Sequence, residues 1–259
     1  MIRLEGVTKQ YGHFTAVHPL DLHVRRGEMF GFLGPNGAGK TTTIRMIAGV
    51  LRPTAGRVFI AGHDIAQEPL LAKQHVGYIP DRPSVYEKLT GAEFLRFVSG
   101  LWGKDGAAAE KRADDLLDLF ELTEWKNTLV ESYSHGMRQK LLISSALVHS
   151  PELIIVDEPM VGLDPKAARL IKELLKSFTA AGGTVFLSTH TLEVAEALCD
   201  RIAILHGGRI RALGTMTDLR REAAAGDAHL EDIFLKLTGS EGVQALVAAL
   251  RSDGAAKSA

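Results

Sequence analysis

Apolar and polar positions change rhythm along the chain. In the first third, short apolar runs are broken by turns. Met29-Phe30-Gly31-Phe32-Leu33 has no polar alternation and predicts a buried strand. From Thr41 to Leu51 the period lengthens, with Ile44, Ile47, Ala48 and Leu51 on one face, which predicts a helix. Pro53-Thr54-Ala55-Gly56 then reads as a turn, and Arg57-Val58-Phe59-Ile60 as another strand. From about Thr90 to Ser150 the pattern is helical. Ala113, Leu116, Leu117 and Phe120 recur at helical spacing, and the small residues of Gly103 to Ala109 read as a linker between two helices. The last third alternates again. Leu153–Val156, Val185–Leu187 and Ile202–Leu205 predict strands. Between the first two lies a helix that Asp164 caps and Pro165 opens. Its stripe is Leu170, Ile171, Leu174, Leu175 and Phe178, and Gly182-Gly183 end it. Strand and helix in alternation predict an α/β protein on a parallel sheet, with the helical middle inserted into it. Residues from about Gly239 onward are rich in Ala, Gly and Ser and are expected to fray. No internal repeat is visible.

Composition narrows the class. Of 259 residues, 46% are apolar and 24% charged, ordinary for a globular chain and unlike a disordered or fibrous one. Lys+Arg number 30 against 31 Asp+Glu, so no overall field draws the chain to nucleic acid or anionic lipid. Cys199 is the single cysteine, which excludes an intrachain disulfide and a one-chain thiolate cluster and fits a reducing compartment. The apolar runs are far shorter than the roughly 20 residues of a spanning helix. Met1 to Gly6 lacks the basic-then-apolar layout of a secretion signal, so a membrane role is expected to come through a partner.

Gly34-Pro35-Asn36-Gly37-Ala38-Gly39-Lys40-Thr41 matches G-x-x-x-x-G-K-[ST] in full, between an apolar strand and a periodic helix. Glycines there let backbone N–H groups converge on phosphate oxygens, and the helix start adds its positive dipole end. Lys40 is placed to reach the β- and γ-phosphates, the Thr41 hydroxyl to ligate Mg²⁺, and Thr42 to stand near the α-phosphate. Asp157-Glu158 follow the apolar run Leu153–Val156, at the strand end where α/β sheets place ligands. Alone such a pair reads as a solvated helix start. Beside a complete phosphate loop, Asp157 is expected to help hold Mg²⁺ and Glu158 to polarise an attacking water. His190 follows strand Val185–Leu187, a candidate to touch the γ-phosphate or that water, although a lone histidine is more often structural.

With these motifs in this order, residues 1 to about 220 resemble the ATP-binding subunit of ABC transporters. The resemblance implies a P-loop ATPase with a mixed or parallel sheet core, an antiparallel β subdomain at the N-terminus and an inserted helical subdomain. It divides the chain into an ATPase core at 1–85 and 151–220, a helical part at 86–150 and a C-terminal extension with a frayed tail at 221–259. Ser134-His135-Gly136-Met137-Arg138-Gln139 looks like the family signature, followed by the helix Lys140–His149. Gly162-Leu163-Asp164 resembles the D-loop and His190 the switch histidine, while Tyr11 sits where the family stacks a ring on adenine. Outside the family, Ser134-His135-Gly136 would read as an ordinary N-cap and Tyr11 as a strand-edge tyrosine. Within it, Ser134 and the Gly136 N–H face the γ-phosphate held by Lys40 of a second copy. ATP then glues a head-to-tail homodimer, and hydrolysis loosens it. Two positions depart from the pattern: His135 replaces a glycine, and Asp81, shorter and charged, replaces the family's glutamine but is still placed to contact Mg²⁺ or its water.

Tyr78-Ile79-Pro80-Asp81-Arg82-Pro83, Tyr133–Met137 and Leu230–Gly239 look like the drug-resistance and antibiotic-export subgroup, whose ATPase chain pairs with separate membrane permease subunits. The implied protein is an ATP hydrolase with Mg²⁺, cytoplasmic and peripheral on the inner face of the membrane, with the stretch Asp81 to Leu89 meeting the permease. Residues 230–239 also read as an amphipathic helix packed on the core. The ATP site does not state direction, so import stays open. A DNA- or ribosome-acting relative is disfavoured, because about ninety residues without heptads separate the phosphate loop from the signature and there is a single cassette. No direct nucleic-acid partner is expected. A P-loop kinase would leave Asp164, His190 and the signature as coincidences.

Overall fold

The computed structural model describes residues 1–81, 85–160, 163–222 and 229–238. The tail from 239 onward, Gly162, Arg82 and Pro83 lie outside them. Two sheets carry the fold. The first, antiparallel, has the order β2-β1-β4-β5, from β1 Ile2–Tyr11, β2 Phe14–Val24, β4 Ala55–Ile60 and β5 His63–Asp64. The second has six strands in the order β10-β9-β3-β8-β7-β6. These are β3 Met29–Leu33, β6 Val76–Ile79, β7 Leu153–Asp157, β8 Thr184–Thr189, β9 Arg201–His206 and β10 Arg209–Gly214. All of its pairings are parallel except the β9–β10 edge, so the sheet is mixed.

Helices α1 Lys40–Ile47 and α2 Pro69–Lys73 lie early in the chain, and α3 Gly91–Leu101, α4 Ala107–Leu119 and α5 His135–Leu147 fall between β6 and β7. Helix α6 Pro165–Ala180 links β7 to β8, α7 Leu192–Leu198 links β8 to β9, and α8 Met216–Glu222 and α9 Leu230–Thr238 follow β10.

The unbroken apolar strands are buried on both faces, and period 2 sorts them. Phe30, Phe32, Leu153, Ile155 and Phe186 join α1 and the antiparallel sheet in one core, with ring centroids 5.6 Å apart for Phe30–Phe186 and 5.3 Å for Phe32–Phe186. Met29, Ile154, Val156, Val185 and Leu187 face the opposite way, into a core with α4, α5 and α6. A third cluster joins Leu33 and Ile204 to Leu219, Leu230 and Ile233, so α9 does pack amphipathically on the body. Cys199 lies beneath β3, 2.9 Å from where a Cβ on Gly31 would sit, and burial pushes its thiol up to about 12.

The sequence places several boundaries differently. Helix α1 stops at Ile47, not Leu51: Gly49 is left-handed (φ 66°), and the N–H groups of Val50 and Leu51 both fold back to the Arg45 carbonyl. Leu51 leaves the helical face but still packs on the first core. The strand expected at Arg57 begins at Ala55, pairing Ala55 with Thr8. The linker is shorter than Gly103–Ala109, because α4 starts at Ala107 directly after the left-handed Gly106. The helical middle is interrupted from Phe120 to Ser134, where Glu121 turns left-handed (φ 59°) and only short 3₁₀ turns follow. The signature helix begins at His135, ahead of Lys140.

Candidate functional site

The parallel strands end side by side, and their C-terminal ends carry the chemistry. From β3 the chain enters the phosphate loop. Ala38 N–H donates to the Pro35 carbonyl (3.1 Å), and Gly37 and Gly39 take φ of 80° and 102°. Only glycine suits Gly39: its Cβ would stand 2.7 Å from the Ala16 carbonyl oxygen, a backbone atom that cannot give way. Gly37 has no atom within 4 Å of such a Cβ, so its bare face looks into open space. Lys40 is 7% exposed, and its ammonium donates to the carbonyls of Gly34 (2.6 Å) and Pro35 (3.3 Å). Burial lowers its pKa, while Glu158 and Asp157 draw it back up.

Asp157 ends β7 opposite Ser188 of β8 and is 1% exposed. Burial raises its carboxyl above the ordinary range, the nearby Ser188 and Thr41 hydroxyls lower it, and Asp81 and Glu158 raise it further. Those hydroxyls come near without hydrogen-bonding geometry: neither carboxylate oxygen has a partner, nor does Ser188 Oγ. A buried acceptor pair left unpaired beside a threonine hydroxyl fits a hard cation with oxygen ligands. Among the described residues no group of three His, Cys, Asp or Glu is placed to hold a metal. Glu158 is left-handed (φ 51°), its N–H donating to the Ser188 carbonyl (3.0 Å). Its carboxylate lies 2.8 Å from His190 Nδ1 and accepts from the His190 N–H at 3.4 Å. A strained backbone held by its neighbours is common at reactive positions.

A cleft of about 390 Å³ gathers Tyr11, Asn36, Gly37, Gly39, Lys40, Thr41, Thr42, Asp81, Asp157 and Glu158. Ala38 is buried beneath it, and His190 touches it through Glu158. The sequence reading missed Phe14, which also lines the cleft. Phe14 pairs with Tyr11 across the Gly12-His13 turn, and both rings are exposed, at 65% and 50%. The signal was there: two aromatics flanking a glycine-containing hairpin turn.

Ser134, Gly136 and Asp164 are not among the residues lining this cleft. Ser134 caps α5, its Oγ accepting from the Met137 N–H (3.3 Å). Asp164 caps α6, accepting from the Ala167 N–H at 2.8 Å, a bond that lowers its pKa. Gly136 again meets nothing within 4 Å, and the neighbouring His135 is exposed. Near Asp81, Tyr86 is exposed with its ring edge-on to Phe97 (5.3 Å), whereas Leu89 packs on the second core.

Comparison with known proteins gives the family. The sequence pattern of the ABC transporter family matches residues 17–161. The chain is 39% identical over 252 residues to the linearmycin resistance ATP-binding protein LnrL of Bacillus subtilis (strain 168), covering 97% of this chain and 79% of that one. It is 41% identical over 219 residues to the Nod factor export ATP-binding protein I of Cupriavidus pinatubonensis, covering 85% of this chain and 67% of that one. A solved ATP-binding cassette, dimeric and bound to ADP and Pi in a post-hydrolysis state, superposes with a TM-score of 0.77 at 26% identity, covering 83% of this chain and 99% of its own.

Proposed function

The chain belongs to the ABC transporter family, and from that premise we propose how its residues divide the work of an ATP-hydrolysing export subunit. ATP binding and hydrolysis come with the family. The relatives' names, a resistance protein and an export protein, support export as the direction. No helix among the described residues is long and apolar enough to cross a membrane. In this reading separate membrane-spanning subunits carry the cargo, as the relatives' names as ATP-binding proteins of resistance and export suggest. The chain sits against them from the cytoplasmic side, with residues 86–150 as the insert that bears the signature. Exposed Tyr86 and Phe97 offer them apolar surface, and Leu89, turned into the core, does not.

In this assignment the nucleotide lies along the cleft, its base against Tyr11 and Phe14 and its phosphates in the loop of Asn36 to Thr42. Lys40 exchanges two backbone carbonyls for phosphate oxygens, a stronger charge-assisted pairing. Thr41 and Asp157 would hold Mg²⁺, with Asp81 alongside, and the ion when bound neutralises charge on the β- and γ-phosphates. Glu158 takes a proton from the water that attacks the γ-phosphorus, giving ADP and phosphate. His190 fixes the direction of that carboxylate.

Ser134, Gly136 and Asp164 serve the cleft of a second copy. The observation that carries this is their place outside the cleft of their own chain, with Gly136 at an open helix start. The test is sedimentation of a Glu158→Gln chain with Mg²⁺-ATP. A dimer is expected, and a monomer at saturating nucleotide, both alone and with the membrane subunits, rules the arrangement out.

A further inference from the structure

Arg138 stands in the first turns of α5, its N–H donating to the Ser134 carbonyl at 3.0 Å. Its guanidinium divides between two places. Nη1 donates to Glu87 Oε1 at 2.8 Å, and Nη2 to the Glu131 carbonyl at 2.8 Å. Its Nε is buried without a partner, so the guanidinium is held through its two terminal nitrogens. The stretches it joins are themselves spliced. Glu131 N–H donates to the Glu87 carbonyl (3.0 Å), Val130 N–H to the Leu89 carbonyl (2.9 Å), Thr90 and Leu129 form an antiparallel bridge, and Lys88 pairs with Glu131. Glu87 in turn lies just downstream of Asp81, which lines the nucleotide cleft.

We propose that the Glu87–Arg138 pair is a positioning element, which fixes the serine-capped start of α5 against the stretch Glu87–Thr90. The proposal rests on the head-to-tail reading above, in which Ser134 and Gly136 act on the second copy's nucleotide. A forked guanidinium suits this role because it holds a side chain and a backbone carbonyl at once, which an ammonium on a flexible stem does less rigidly. Stability is a poor explanation for the pair. Glu87 is more than half exposed, and solvated ion pairs add little to folding.

The test uses the full chain in the Glu158→Gln background, with Glu87→Gln, Arg138→Met and the double variant. Melting temperature, ATP affinity of the single chain and Mg²⁺-ATP-driven dimerisation are read side by side. The first two are expected to stay at the parent's values, while each single variant weakens dimerisation about tenfold, within the usual range of coupling between sites. The double variant is expected to be no worse than either single one, and Arg138→Lys to recover part of the loss. Glu87→Gln, conservative and exposed, keeps the test decisive should Arg138→Met not fold. Dimerisation at the parent's level, or additive losses that follow melting temperature, overturns the positioning role alone. A parent that stays monomeric overturns the head-to-tail reading and this proposal with it.

Discussion

Two helix starts in this chain offer backbone N–H groups, and they differ in what surrounds them. At α1 the neighbours converge: β3, β6, β7 and β8 deliver the phosphate loop, Asp81, Asp157-Glu158 and His190 to one place, with Lys40 and Asp157 buried. At α5 an exposed serine caps the helix and Gly136 faces open space. The first has cation, carboxylates and dipole within one chain. The second has only the donors. A phosphate bound at the first gains from every term; in the head-to-tail reading proposed above, one at the second draws on the cation and carboxylates of another copy. Substitutions at the two places are therefore expected to fail in different ways.

The largest effect belongs to Glu158→Gln. Losing a positioned base lowers turnover about 10²–10⁴-fold, with ATP affinity retained, as phosphate release and calorimetry will report. Full turnover would take the base away from this residue. Lys40→Ala comes next. Loss of charge-assisted bonds worth about 1.5–3 kcal/mol weakens ATP binding roughly 10–100-fold in the isolated chain. Ser134→Ala sharpens the contrast from the other side. Removing the N-cap costs about 1 kcal/mol of stability. Turnover should fall roughly tenfold, the weaker end of a bond to a charged group, while single-chain ATP affinity is unchanged. A matching loss of affinity would place Ser134 in its own chain's cleft and erase the distinction.

The smallest effect runs in the opposite direction. Asp157 has a raised pKa in the fold, so the folded chain binds that proton more tightly than the unfolded chain does. Its burial therefore costs stability above the folded pKa, and the cost disappears as pH falls below the unfolded value. At pH 7 Asp157→Asn should raise the melting temperature of the nucleotide-free chain, because the amide carries no charge to desolvate. It should also abolish the Mg²⁺ dependence of ATP binding. The gain in melting temperature should be absent at acid pH.

The sequence makes the α1 end far more legible than the frame around it. A fully buried strand has no alternation to misread, so Met29–Leu33 and Leu153–Val156 are plain, and the motifs sit at their ends. Asp164 announces its helix because capping is local chemistry. The long strands β1 and β2 are obscured by register shifts after Leu4 and Val7, which break the period-2 pattern that would mark them. Helix ends set by a left-handed residue, as at Gly49 and Glu121, depend on what the following chain packs against. Phe14 was missed for a related reason: only the Tyr11–Phe14 register puts its ring beside the cleft.

The half-buried thiol of Cys199 has a practical consequence. With its ionisation pushed to about 12, little of it is thiolate at neutral pH, so it reacts slowly with maleimides. One cysteine added at a solvent-facing position, such as near Trp125, would take a single dye or spin label without first stripping the native residue, and the distance between labels on two copies could then be followed as nucleotide is added and consumed.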